Sequence, residues 1–296
     1  MPDSDAFFHP YKLGDVEVVP CSTVIGAEIR NIDISKELSA EIIVSLIQAW
    51  HTHLVLLFRQ QDLAPEQHIT FTSYFGTPQS PNRTSFTPLT EKHPEIIEVM
   101  NVDMDDKRLD HSLGNSEAMW HTDMSYKPIP PLGSALYSRE IPPNGGDTCV
   151  SNMYLAYEDL SEEMLREIDD KCAVHDESRN SAGILRPGFP DQKDPTKTPG
   201  PHHPIIRTHP ETKRKTLFLG RRPYSYVPGL SYEKSEYLLD RLWAHASQKK
   251  YSWCHQWAVG DLLLWDNRCV MHRRDPFDKN QRRVMHRTQI AGSRPF

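Results

Sequence analysis

Nowhere in the 296 residues is there a run approaching the ~20 consecutive apolar residues that a membrane-spanning helix needs, so a helical membrane protein is excluded. Nor is there an excess of positive charge: 34 Lys and Arg stand against 40 Asp and Glu, a net charge of −6 with neutral His. A mildly acidic chain argues against the basic surface that nucleic-acid phosphates select, and no nucleic-acid or membrane partner is expected. Internal repeats and low-complexity tracts are missing, and a content of 38% hydrophobic and 25% charged residues speaks against wholesale disorder. The opening residues, Met1-Pro2-Asp3-Ser4-Asp5-Ala6, contain neither a basic nor an apolar stretch, so no secretory leader is expected and the expected compartment is the cytoplasm. Cysteine is scarce as well. The five, Cys21, Cys149, Cys172, Cys254 and Cys269, are odd in number and hold no C-x-x-C pair, which points to reduced thiols rather than a disulfide framework.

What is plentiful is histidine, with fifteen residues, and this makes a metal site worth locating. The length suits one or two domains, and a single one over 1–296 is expected because the chemical motifs fall on both sides of the two long polar stretches. One stretch, 176–204, is rich in Pro, Gly, Asp and Lys without apolar periodicity and is expected to be a long loop or insert. Loops of that length are commonly lids or disordered inserts. A second polar stretch covers about 102–118. Ser39, Ser161 and Ser231 each precede apolar residues at helical spacing and are expected N-caps. Pro65 suits the first turn of a fourth helix over 65–75, with Gly76 as its stop. Short β-like runs lie between them: Val16–Val19, Leu54–Phe58, Ile96–Met100, Ser134–Tyr137, Thr216–Leu219, Leu262–Trp265 and Val284–Ile290. Many short strands with few helices predict a mainly β fold with flanking helices, built on a sandwich or jelly-roll core.

The sharpest local feature is Trp120-His121-Thr122-Asp123. On a strand the side-chain period is two, so His121 and Asp123 point to one side and can chelate one ion. Alone the pattern is weak, because about two His-x-acid pairs are expected by chance from this composition. Four occur: His93/Glu95, His121/Asp123, His175/Glu177 and His209/Glu211. His93 and His209 precede prolines and read as exposed turn residues, and His175 opens the polar loop and reads as solvated. His121 lies on the β-prone stretch. A third ligand must come from elsewhere, and the best candidate is His272, which follows the apolar Leu262–Trp265 and an Asp266-Asn267 turn. Two His and one carboxylate with open positions form the facial triad of non-haem Fe(II) oxygenases, although zinc accepts the same donors. Downstream, Arg283 and Arg287 share a face if Val284–Ile290 is a strand, and together they suit a dicarboxylate; Arg282 points the other way, to solvent.

Taken in order, His121-x-Asp123, Gly145-Gly146-Asp147-Thr148, Trp265-Asp266-Asn267-Arg268 with His272, and Arg283 with Arg287 resemble the Fe(II)/2-oxoglutarate dioxygenases of the taurine dioxygenase and 2,4-dichlorophenoxyacetate dioxygenase type. The likeness runs from about residue 20 to the C-terminus. It implies His121, Asp123 and His272 as iron ligands, and Arg283 and Thr148 as contacts of the distal 2-oxoglutarate carboxylate. It also implies Arg287 as a second arginine near the co-substrate or substrate acid group, Trp265 as an aromatic residue close to the iron, and a double-stranded β-helix. Fe(II), 2-oxoglutarate and dioxygen are then the expected cofactor and co-substrates. The expected partners are a small anionic substrate, such as an aryloxyalkanoate or an alkyl sulfonate or sulfate, and further copies of the chain in a homo-oligomer. Hydroxylation beside oxygen or sulfur implies C–O or C–S cleavage. Taurine is disfavoured: the stretch Thr77–Arg83 lacks the histidine that taurine dioxygenase carries there, and Glu117 replaces its asparagine. Two rivals are a zinc hydrolase or lyase, which has no use for Arg283 and Thr148, and a non-catalytic anion-binding protein, which a lost metal ligand would mark.

Overall fold

The computed structural model of the chain describes residues 4–80, 88–101, 119–179 and 184–296. Arg83, Glu117, the whole of 102–118 and residues 180–183 of the long loop lie outside the described residues. Among the described residues sixteen strands occur in chain order. The first eight are β1 (Tyr11–Leu13), β2 (Val16–Pro20), β3 (Ala27–Arg30), β4 (Val55–Phe58), β5 (Pro88–Thr90), β6 (His93–Met100), β7 (Gly133–Glu140) and β8 (Thr148–Asn152). Then follow β9 (Cys172–Val174), β10 (His202–Pro204), β11 (Ile206–Thr208), β12 (Lys215–Leu217), β13 (Ser252–His255), β14 (Leu262–Asp266), β15 (Val270–Arg274) and β16 (Val284–Ile290). The described helices are α1 (Ala40–His53), α2 (Pro65–Ser73), α3 (Met153–Glu158), α4 (Glu162–Ile168) and α5 (Tyr232–Ala246). The chain is mainly β with flanking helices, as its short strands predict.

The strands β1-β2-β3-β4-β14-β7-β16-β6-β5 form a nine-stranded sheet, and β13-β8-β15 form a three-stranded one. Period-two alternation divides each apolar run between two cores. Leu56 and Phe58 of β4 and Leu262 and Leu264 of β14 pack with Leu46, Trp50 and Phe71 of α1 and α2. Their neighbours Val55, Leu57, Leu263 and Trp265 face the other way, onto Val150 and Val270 of the smaller sheet. That sheet turns Met271 outward, onto Met153, Leu238, Leu239 and Leu242 of α3 and α5. Strands covered on both faces are apolar throughout, which is why β4 and β14 read as unbroken hydrophobic runs.

Ser39, Ser161 and Ser231 do cap α1, α4 and α5, accepting from the backbone N–H groups of Ile42, Met164 and Lys234. Strand β4 begins one residue late because Leu54 is the left-handed cap of α1, at φ 67°. Helix α2 stops at Ser73, two residues short of the expected end. Among its described residues the long loop is irregular apart from a 3-10 turn at Pro195–Lys197 and the strand β10.

The thiol expectation is corrected. Cys149 and Cys254 are disulfide-bonded, directly opposite each other in the β8–β13 pair. They are 105 residues apart, so only strand register brings them together. Cys21, Cys172 and Cys269 are free. Among the described residues no helix is long and apolar enough to cross a membrane.

Candidate metal and co-substrate site

The site opens between the two sheets. His272 is the third residue of β15, and its backbone N–H and C=O exchange 2.9 Å hydrogen bonds with His121. His121 also bridges Arg221 on its other side. The expected strand through Asp123 is not present: after this bridge the chain turns, with Met124 at φ 47°. The two side chains face one point all the same. Nε2 of His121 and Nε2 of His272 each lie 3.8 Å from Oδ1 of Asp123. One donor atom from each residue falls within 4.8 Å of the others, and all three residues are buried. The Nδ1–H of His121 donates to the Met119 carbonyl at 2.9 Å, which leaves the Nε2 lone pair aimed at the site. Two imidazole nitrogens and one carboxylate oxygen form a donor set that fits ferrous ion.

A cavity beside this cluster is lined by His121, Thr148, Trp265, His272, Arg283 and Arg287, among others. Arg283 is only 2% exposed although it precedes β16. Its backbone N–H donates to Oδ1 of Asn101 at 2.9 Å and its Nη2 to the Gly146 carbonyl at 3.2 Å. Gly146 has φ 74°, a conformation that favours glycine, and a Cβ there would press on Arg283 Nε at 3.1 Å. Thr148 accepts from the Trp257 indole at 3.1 Å, which leaves its own hydroxyl proton to give to an anion. Arg287 donates from Nη1 to Oδ1 of Asp123 at 3.2 Å. The Trp265 ring lies 4.6 Å from that of His272. Arg282 is exposed and paired with Glu140, as expected of a solvent-facing residue.

Three readings of local context fail. His93 is buried as the first residue of β6. His175 is buried between His203 and the Phe218 ring. His209 is fully buried, with Nε2 3.0 Å from Oδ2 of Asp266. Each was assigned to the surface from its neighbours in sequence, but tertiary packing decides burial.

Asp266 and Asn267 do stand at the expected turn, yet they are far more than turn residues. The Asn267 amide accepts from the Asp123 backbone N–H at 2.9 Å and donates to the Asp123 carbonyl at 3.0 Å. Asp266 takes a forked pair of hydrogen bonds from Arg268, at 2.8 and 2.7 Å. Burial alone would raise its pKa, but Arg268 and His209 override it and hold the carboxyl well below the usual carboxylate range. Replacing Asp266 by Asn is expected to cost about 3 kcal/mol, since it leaves the buried Arg268 guanidinium paired only with the half-exposed Glu211. Because the folded pKa is depressed, this stability is present above the unfolded carboxylate pKa of about 4 and is lost as pH falls below it. Urea unfolding of Asp266→Asn across pH 3–7 checks this: a wild-type midpoint at neutral pH would contradict it. The sequence cue is an acid and an amide at the end of the apolar run Leu262–Trp265, with nothing nearby to mark their partners.

Comparison with known proteins is consistent with this geometry. Residues 17–289 match the family model described as taurine catabolism dioxygenase TauD, TfdA family. The chain is 30% identical over 294 residues to the (S)-phenoxypropionate/alpha-ketoglutarate-dioxygenase of Delftia acidovorans, covering 94% of this chain and 95% of that protein. It is 31% identical over 295 residues to the alpha-ketoglutarate-dependent 2,4-dichlorophenoxyacetate dioxygenase of Burkholderia sp. (strain RASC), covering 97% and 94%. Among solved structures it resembles AAD-2 in complex with Mn(II) and N-oxalylglycine, with a TM-score of 0.79 and 30% identity, over 95% of this chain and 98% of that one.

Proposed function

The chain belongs to the TauD/TfdA family of dioxygenases, and from that premise we propose that it is an Fe(II)- and 2-oxoglutarate-dependent dioxygenase acting on a small organic anion of the aryloxyalkanoate kind. The observation that carries this reading is the convergence of His121, Asp123 and His272 beside a cavity that Thr148 and Arg283 line. The two facing sheets are read as a double-stranded β-helix, with the site between them.

His121, Asp123 and His272 hold the ion. When bound, Fe(II) supplies the activation of dioxygen that couples decarboxylation of 2-oxoglutarate, to succinate and carbon dioxide, with insertion of one oxygen atom into a substrate C–H bond. Arg283 and Thr148 bind the distal carboxylate of 2-oxoglutarate and set its reach to the ion. Arg287 carries a positive charge against Asp123 and toward the incoming acid groups. Trp265 packs on His272 and walls the cavity against water. Hydroxylation of an ether carbon gives a hemiacetal that breaks at the C–O bond, so an aryloxyalkanoate releases a phenol. A zinc hydrolase or lyase would leave the buried Arg283 without a use.

The test is oxygen uptake and succinate formation with Fe(II), 2-oxoglutarate and a panel of phenoxyacetate, phenoxypropionate, alkyl sulfates, alkyl sulfonates and taurine. Succinate in step with phenol is expected for a phenoxy acid, with little from taurine. Absence of substrate-coupled succinate across the panel would contradict the proposal.

A further inference from the structure

A carboxylate can give a metal one oxygen or two, and the choice decides how many positions stay open. Asp123 has its two oxygens in different surroundings. Oδ1 faces both imidazoles, 3.8 Å from each Nε2. Oδ2 accepts a 2.8 Å hydrogen bond from the Ser134 hydroxyl. Ser134 is fully buried in the middle of the nine-stranded sheet, where β7 pairs it with Trp265 on one side and Gln289 on the other. Its Oγ lies 3.4 Å from the Gln289 amide nitrogen, which donates to it and so directs the Ser134 proton toward Asp123. The backbone of Asp123 is fixed as well, since Asn267 bonds both its N–H and its C=O and anchors itself on the Pro131 carbonyl at 2.9 Å. Turning the carboxylate to present both oxygens would break the Ser134 bond and leave a fully buried hydroxyl without that acceptor.

We propose that Ser134 is a positioning residue that restricts Asp123 to a one-oxygen ligand, with Asn267 fixing the backbone from which the carboxylate projects. The inference rests on the metal assignment made above. A six-coordinate ion held by three protein donors would keep three positions for the co-substrate and dioxygen. A two-oxygen Asp123 would take one of these, so the co-substrate would have to displace it. The hydroxyl thus protects co-substrate binding more than metal binding.

The experiment uses the full chain with Mn(II), which oxygen does not consume. Ser134→Ala is compared with wild type by Mn(II) titration and then by 2-oxoglutarate titration of the Mn(II)-loaded protein. The expected result is a Kd for Mn(II) within about threefold of wild type, or tighter, and a Kd for 2-oxoglutarate raised about tenfold or more. Ser134→Thr, which keeps the hydroxyl, should regain at least half of that loss on a logarithmic scale. A merely structural role would weaken both ligands together. Such a parallel loss, or wild-type values for both, would overturn the proposal. If Ser134→Ala does not fold, Ser134→Cys, close in volume but a weak donor, takes its place under the same criteria. Failure of the wild-type protein to bind Mn(II) would instead refute the metal assignment, so the two failures are distinguishable.

Discussion

Asp123→Ala is expected to abolish turnover and to purify without stoichiometric iron. Two imidazoles alone hold Fe(II) poorly, because the charge-neutralising carboxylate is gone. The change has a second consequence. Arg287 is buried, and Asp123 is the carboxylate it touches among the described residues. Removing that partner leaves a buried positive charge, so the apo variant should lose about 3 kcal/mol of stability. A domain with the usual ~5–15 kcal/mol remains folded after such a loss. Asp123→Asn, which keeps an oxygen for Ser134, should be closer to wild type in stability and equally inactive. Circular dichroism, thermal unfolding and iron analysis read these outcomes. Full activity of Asp123→Ala with unchanged iron content would remove this residue from the metal site.

Arg283→Gln is expected to raise the KM for 2-oxoglutarate far more than that for the organic substrate. A charge-assisted contact whose partner is left buried and unpaired is worth roughly 2–5 kcal/mol. At tenfold per 1.4 kcal/mol, the lower bound is a KM increase of roughly 30-fold. The Gly146 carbonyl holds the guanidinium and Asn101 holds the backbone of the same residue, and the shorter glutamine cannot reach the same anion. Steady-state kinetics with each substrate varied in turn settles the matter. A 2-oxoglutarate KM within a few-fold of wild type would assign the clamp to another residue.

Much of this site was legible because its cues are local. His121 and Asp123 are two residues apart, Arg283 and Arg287 four, and serine caps stand next to the helices they start. The division of β4 and β14 between two cores was hidden, since both faces are apolar and only the packed sheets separate them. What escaped depends on pairs distant in sequence. Asn267 reaches back 144 residues to Asp123, and His209 reaches forward 57 to Asp266. The Cys149–Cys254 link likewise follows from the register of β8 on β13 and from nothing in cysteine spacing. His93 and His209 show the limit of reading exposure from a following proline: the one starts a strand, and the other is bonded to a buried carboxylate.

The central claim is that one buried cavity holds a ferrous ion and 2-oxoglutarate together. Anaerobic titration of the apo protein with Fe(II) and then 2-oxoglutarate tests it most directly, by visible absorption. The account predicts a charge-transfer band that saturates at one equivalent each of protein, Fe(II) and 2-oxoglutarate, is absent when any one is omitted, and is lost in Asp123→Ala. No band at saturating concentrations of both ligands, or an undiminished band in Asp123→Ala, would contradict it.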